Sequence, residues 1–352
     1  MKLFTVGPVE MYPDTLEESA RQVPYFRTGA FSQVLLHTEK MLLELAHAPA
    51  ASRVVFLTAS GTGAMEAAII NCLNSQDRVI TIDGGSFGHR FAQMCERHGI
   101  PQEVLQIPFG EILTEQMLND IYCDDMTALL VNLHETSTGQ LYDLETISRF
   151  CKNHKLFLIV DAISAFIADP IDMKQAGIDV MITSSQKALS LAPGISVVIL
   201  SPRAVDAVQK RGTNMMYFDF RDYLKNGIRG QTPFTPAVGI ILTMEKRLEY
   251  IAAAGIEKIQ NSIAALARDF REQAVRIPIQ IPAYPHSNAL TPLYFPNGNA
   301  KSIYDSLQQK YEIMVTPNGG ALADCLLRVG HMGNLTFEDN ARLIRAMCKI
   351  LE

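Results

Sequence analysis

The sequence predicts an α/β protein: a large domain with a mostly parallel sheet, plus a smaller C-terminal α+β domain. Three observations predict it. Between Arg53 and Leu200 short apolar runs alternate with helical patterns, which is how βαβ units read. Strand candidates such as Leu156–Val160 are apolar throughout instead of alternating, as strands covered on both faces must be. At 352 residues, nearly half of them hydrophobic, the chain is also too long for one small core.

In order, an extended arm ends in Gly7-Pro8-Val9, and a helix is predicted over 14–22. Val23 to Phe31 is a loop by its proline and glycine, carrying Arg27 among aromatics. From Ser32 to Ala46, Val34, Leu35, Met41, Leu42 and Leu45 recur at helical spacing. Strands follow over 54–57, 78–82, 104–107, 127–133, 156–160, 179–182 and 195–200, with helices over 63–73, 88–97 and 144–154. Helices are predicted again over 236–252 and 255–273, and strands over 293–295, 313–315 and 326–329. The expected division is an arm (1–20), a large domain (21–250) and a small domain (251–352).

A formal net charge of −6 without a basic run argues against nucleic acid and anionic membrane surfaces. No apolar run approaches eighteen residues, and the N-terminus lacks a long apolar core and a cleavage site. A cytoplasmic protein is therefore expected, with small molecules or further copies of itself as partners. Six cysteines stand far apart with no CxxC spacing, which suggests reduced thiols and no zinc site.

Ligands of such sheets sit beyond the carboxyl ends of the strands. Ser60-Gly61-Thr62-Gly63 runs from a strand straight into a helix, where backbone N–H groups and the helix dipole favour an anion. A phosphate cradle is one reading and an ordinary turn another. A Walker loop is excluded for want of Gly-Lys-Ser/Thr, and a dinucleotide fingerprint lacks its third glycine, although Asp83 falls about twenty residues on. Asp161 ends a very apolar strand, so its carboxylate is either protonated or paired. Phe87, between Ser86 and Gly88, is either a platform for a flat ring or a core aromatic. Lys187, in Ser184-Ser185-Gln186-Lys187-Ala188, lies between two apolar strands, where desolvation lowers its pKa and suits it to a Schiff base; a lysine snorkelling to solvent is the alternative.

A phosphate cradle, a ring platform, a buried acid and a lysine are together what pyridoxal phosphate requires of a protein. Their order resembles the fold-type I pyridoxal-phosphate transferases. Ser185-Gln186-Lys187-Ala188-Leu189 and Val160-Asp161-Ala162-Ile163-Ser164 are similar to the Schiff-base and aspartate segments of the class V aminotransferases. That family includes alanine–glyoxylate, serine–pyruvate and 2-aminoethylphosphonate–pyruvate aminotransferases, and the resemblance covers essentially the whole chain.

The resemblance implies that Lys187 carries the cofactor and then moves the proton, while Asp161 keeps the pyridine nitrogen protonated. It implies that Ser60, Gly61, Thr62 and Gln186 hold the phosphate and that Phe87 stacks on the ring, where many relatives have a tryptophan; this chain has none. Thr136 matches a hydroxyl beside the ring. Gly230 to Pro236 resembles a segment reaching across a homodimer interface, with Thr232 and Thr235 as candidates for the partner's phosphate. Arg328, in Cys325-Leu326-Leu327-Arg328-Val329, would grip the substrate carboxylate, and Gly7 lies at the substrate. Phe26-Arg27-Thr28 lies where relatives carry a His-Arg-Ser-like segment. If Arg27 faces the site, a phosphonate or dicarboxylate is favoured; if it faces the protein, alanine or serine is. The implied reaction is ping-pong transfer of an amino group from 2-aminoethylphosphonate, alanine or serine to pyruvate or glyoxylate. The alternatives are a cysteine desulfurase-like lyase using Cys325, a non-catalytic sugar- or aldehyde-binding protein of this fold, and a dinucleotide-dependent oxidoreductase.

Overall fold

A computed structural model describes residues 1–351. Seven strands form the central sheet: β1 Arg53–Leu57, β2 Val79–Asp83, β3 Gln102–Gln106, β4 Ala128–Asn132, β5 Phe157–Asp161, β6 Val180–Ser184 and β7 Ser196–Leu200. Their spatial order is β1-β7-β6-β5-β4-β2-β3. All neighbours are parallel except β7, which runs antiparallel to both β1 and β6. Successive residues of a strand point to opposite faces, and the core divides accordingly. Val54, Phe56, Ile80, Ile82, Leu129 and Val131 enter one apolar layer. Val55, Leu57, Val79, Ala128 and Leu130 enter the other. Both faces are covered, hence the apolar runs.

The crossover helices start where capping residues stand. Asp143 accepts from the N–H groups of Glu145 and Thr146 to open helix Leu144–His154, which closes on Lys155 in the left-handed conformation. Helix Gly61–Cys72 begins two residues earlier than its periodicity suggests, because Ser60 accepts from the Gly63 N–H and caps it. Helices Glu115–Ile121, Pro202–Arg211, Phe220–Gly227 and Ala300–Tyr311 complete regions whose periodicity gives no clear signal.

Helix Val238–Ala254 continues through position 250 and packs on Gly29–Leu45 and on the short helix Pro13–Ser19. Beyond it a second core gathers Leu266, Phe270, Leu293, Ile303, Leu327 and Met347. Its sheet is β8 Leu290–Tyr294, β9 Thr316–Pro317 and β10 Leu326–Gly330, ordered β8-β10-β9 and antiparallel. Ile313–Met314 lies outside that sheet and pairs instead, in parallel, with Lys2–Leu3 of the arm, whose Phe4 enters this core. Among the described residues no helix is long and apolar enough to cross a membrane.

Candidate active site

Three strand ends and one helix start meet at the carboxyl edge of the sheet. Asp161 closes β5, paired laterally with Asn132 of β4 and Ile182 of β6. Its Oδ1 accepts from the Ile163 N–H at 2.8 Å and its Oδ2 from the Asn132 amide at 2.6 Å. Burial pushes this carboxyl up to about 6, against the pull of those two donors. Each oxygen keeps a lone pair for one further donor, and the Asn132 Oδ1, also buried, has no partner among the described residues.

Lys187 follows β6 by three residues and is 9% exposed. Its Nζ donates to the Val6 carbonyl at 2.8 Å. Burial lowers its pKa to about 8; Asp161 opposes the shift, while the positive charges of Arg328 and Arg90 add to it. Gly7 presses against the same side chain: a Cβ there, at φ +143°, would lie 2.8 Å from Lys187 Cδ and Nζ. Only a glycine admits the lysine in this position.

A hydroxyl relay joins the lysine segment to the helix start. Ser184 Oγ lies 2.8 Å from Gln186 Oε1 and 3.0 Å from Ser196 Oγ, and Ser196 donates to the Ala59 carbonyl at 3.0 Å. Next to Ala59, the first-turn N–H groups of Gly61 and Thr62 are among those an α-helix leaves without internal partners. Arg90 ties this cradle to the aromatic: its Nη1 donates to Thr62 Oγ1 at 2.8 Å and its guanidinium lies 4.7 Å from the Phe87 ring centroid. Arg90 stands three residues after Phe87, at the edge of helix Gly88–Arg97, and that spacing was the only sequence signal for it.

Arg328 sits in the middle strand β10, 8% exposed. Nη1 donates to the Thr136 carbonyl at 2.9 Å and Nη2 to the Pro317 carbonyl at 2.6 Å, while Nε has no partner among the described residues. Burial lowers this guanidinium to about 10, with Glu135 opposing. Its backbone-carbonyl partners orient the fork without neutralising it. The Thr136 hydroxyl pairs with Ser164 Oγ at 2.7 Å.

Five residues stand apart. Arg27 donates to Gln231 Oε1 (3.1 Å) and to the carbonyls of Thr232 (2.7 Å) and Pro233 (3.1 Å), with its guanidinium over Phe26. The Thr232 hydroxyl turns back to the Phe234 carbonyl at 2.7 Å, and Thr235 is exposed. Cys325 is half-buried at the start of β10, and Asp83 is engaged with His89 and Gln106, both at 2.9 Å.

The donor set fits pyridoxal phosphate. A helix start suits the phosphate, a buried carboxyl with spare lone pairs suits a ring N–H, and a largely desolvated amine suits an aldehyde. This sheet with this site defines a fold-type I pyridoxal-phosphate enzyme. The chain belongs to the aminotransferase class-V family, whose description matches residues 11–344, and is a pyridoxal-phosphate-dependent aminotransferase. An L-aspartate–glyoxylate aminotransferase of Paracoccus denitrificans is 28% identical, covering 95% of this chain and 87% of its own. The structure of an alanine–glyoxylate aminotransferase from Nostoc sp. superposes with a TM-score of 0.93 at 25% identity, covering 99% of this chain and 95% of its own. A Synechococcus sp. (strain PCC 6716) protein named soluble hydrogenase, small subunit, is 30% identical, covering 99% and 92%. That name describes the cyanobacterial protein. Among the described residues here, the grouping of three His, Cys, Asp or Glu ligand atoms within 4.8 Å is His37, Glu245 and Glu249, without a cysteine.

Proposed function

We propose that this aminotransferase takes its amino group from a small neutral amino acid, alanine or serine, and passes it to glyoxylate or pyruvate. The observation that carries the reading is the buried guanidinium of Arg328, held by two backbone carbonyls with its Nε left without a partner among the described residues. One fork binds one carboxylate. The second cation that a phosphonate or dicarboxylate donor would call for, Arg27, spends its donors on Gln231, Thr232 and Pro233, which supports a neutral side chain. Glyoxylate recurs in the names of the Paracoccus and Nostoc relatives, which supports it as acceptor.

In this reading Ser60, Gly61, Thr62 and Gln186 hold the phosphate, Phe87 backs the ring, Thr136 lies beside it and Asp161 faces its nitrogen. Bound there, pyridoxal phosphate supplies an electron sink that makes the donor's Cα–H acidic. Lys187 moves that proton, and its lowered pKa leaves a usable fraction of neutral amine near neutral pH. Arg328 orients the carboxylate so that the Cα–H faces Nζ. The site is completed by a second copy, whose Thr235 would reach the phosphate. Exposed Tyr25 (69%) and Met216 (80%), with Val23 and Ile228, are the apolar surface such a dimer would cover.

The test is an absorbance spectrum with alanine, serine, aspartate and 2-aminoethylphosphonate added separately. Conversion of the visible band by alanine or serine supports the reading; conversion by aspartate or the phosphonate alone sinks it. Arg328→Lys keeps the charge but loses the fork, so KM for every carboxylate donor should rise about tenfold or more with a smaller change in kcat. An unchanged KM removes Arg328 from the carboxylate. The rate of cofactor capture by cofactor-free protein should climb with pH through a midpoint near 8 and then level off, since the neutral amine reacts and half of Lys187 is neutral at that value. Stopped-flow absorbance reads this; a rise continuing towards the ordinary lysine value of about 10.4 would contradict the desolvated site.

A further inference from the structure

Glu135 is a fully buried carboxylate with none of the roles assigned above. Its hydrogen-bond partners are three backbone N–H groups, those of Phe87 (3.3 Å), Gly88 (2.8 Å) and Ser137 (3.0 Å), and the Ser137 hydroxyl. Burying a carboxylate is costly, and one that accepts from this many donors must organise what donates to it. Phe87 and Gly88 open helix Gly88–Arg97, where Phe87 offers no side-chain cap. Glu135 supplies the cap from a different strand end, where the positive end of the helix dipole favours its charge.

The turn is shaped around this contact. A Cβ on Gly85 would lie 2.6 Å from Glu135 Cδ and 2.7 Å from Cγ, so the turn packs flat on the carboxylate stem. The Ser86 N–H adds a bond to Ser137 Oγ at 3.0 Å. On the other side, Thr136 follows Glu135 directly and its carbonyl receives Arg328. One carboxylate thus locks the segment bearing Phe87 to the segment that orients Arg328.

We infer that Glu135 is a positioning residue that fixes the backbone of Phe87 and so sets the plane in which that ring meets the cofactor, an inference that rests on the placement of the ring on Phe87 proposed above. Arg90 covers one face of Phe87, and Glu135 holds the residue from its backbone. The other face is then presented in a single orientation.

Glu135→Gln keeps the size but turns an amide N–H₂ towards backbone donors. The visible circular dichroism of the bound cofactor, which senses ring orientation, should fall markedly. The dissociation constant of pyridoxal phosphate should rise about tenfold, the loss expected for a hydrogen bond to a charged group. kcat should drop with KM little changed. Phe87→Leu should produce the same changes, and the double variant should be clearly non-additive, because Glu135 acts through Phe87. A merely structural role would lower the melting temperature while leaving dichroism and cofactor affinity intact, and that result overturns the inference. So does full additivity with Phe87→Leu. If Phe87→Leu alone leaves affinity and dichroism unchanged, the ring placement itself fails. If Phe87→Leu has its effect and Glu135→Gln is silent, only the inference fails. Should Glu135→Gln not fold, Glu135→Asp, which keeps the charge and withdraws it by one methylene, is read by the same criteria.

Discussion

Lys187→Ala abolishes turnover, by at least about a thousandfold, while the protein melts at or above the temperature of the parent. The activity loss follows from removing the base: positioned proton transfer contributes about 10²–10⁴ in rate. The nearby cations, Arg328 and Arg90, are guanidinium groups that do not deprotonate in the working range. Retained stability follows from the burial term. A lysine whose pKa is lowered to about 8 costs the folded state something below that pH, so its removal relieves a strain, offset by the small cavity left against Gly7. Single-turnover absorbance with alanine checks the first half and calorimetry the second. Transamination within about tenfold of the parent would take the proton-transfer role away from Lys187.

Asp161→Asn is the second large effect. The carboxyl lies between the Ile163 N–H and the Asn132 amide, with burial raising its pKa to about 6. A cationic ring N–H placed there pairs a buried charge with a buried charge. Breaking such a pair from one side costs about 3–5 kcal/mol, or roughly two to four decades in rate at about 1.4 kcal/mol per decade. The asparagine also turns one N–H₂ towards an existing donor. We expect kcat/KM to fall by about a hundredfold or more, with Asn132→Ala giving the same direction at smaller size. Parent-like kinetics for Asp161→Asn would mean that the ring nitrogen lies elsewhere.

Much of this architecture was legible before any coordinates. β5 and β6 read as strands because they are covered on both faces and therefore apolar throughout, and the site motifs were found by looking just beyond such runs. The helix over 144–154 was marked at both ends by local chemistry, with Asp143 at its start and Lys155 in the left-handed conformation at its end. Helix Pro202–Arg211 carries the same kind of local marks, Ser201 and Pro202 at its start and Gly212 at its end, whereas Ala300–Tyr311 has no side-chain cap at its start and buries only Ala300, Ile303 and Leu307. Contacts between distant segments were equally hidden. Nothing near Glu135 announces that it will cap a helix starting at Gly88, and nothing near Gly7 announces that it will lie against Lys187. Both depend on which loops the sheet order makes neighbours.

The arm carries one further consequence. Lys2–Leu3 is stitched to Ile313–Met314, and Phe4 is bonded to Met314 and Gly330 on either side, all at the outer core. Two residues later the Val6 carbonyl holds the amine of Lys187. The arm thus ties the small-domain core to the reactive nitrogen through three residues, Phe4 to Val6. Arg328 lies two residues before Gly330, whose N–H bonds the Phe4 carbonyl, so the strand that bears the carboxylate-binding fork and the arm that holds the lysine amine are fastened together.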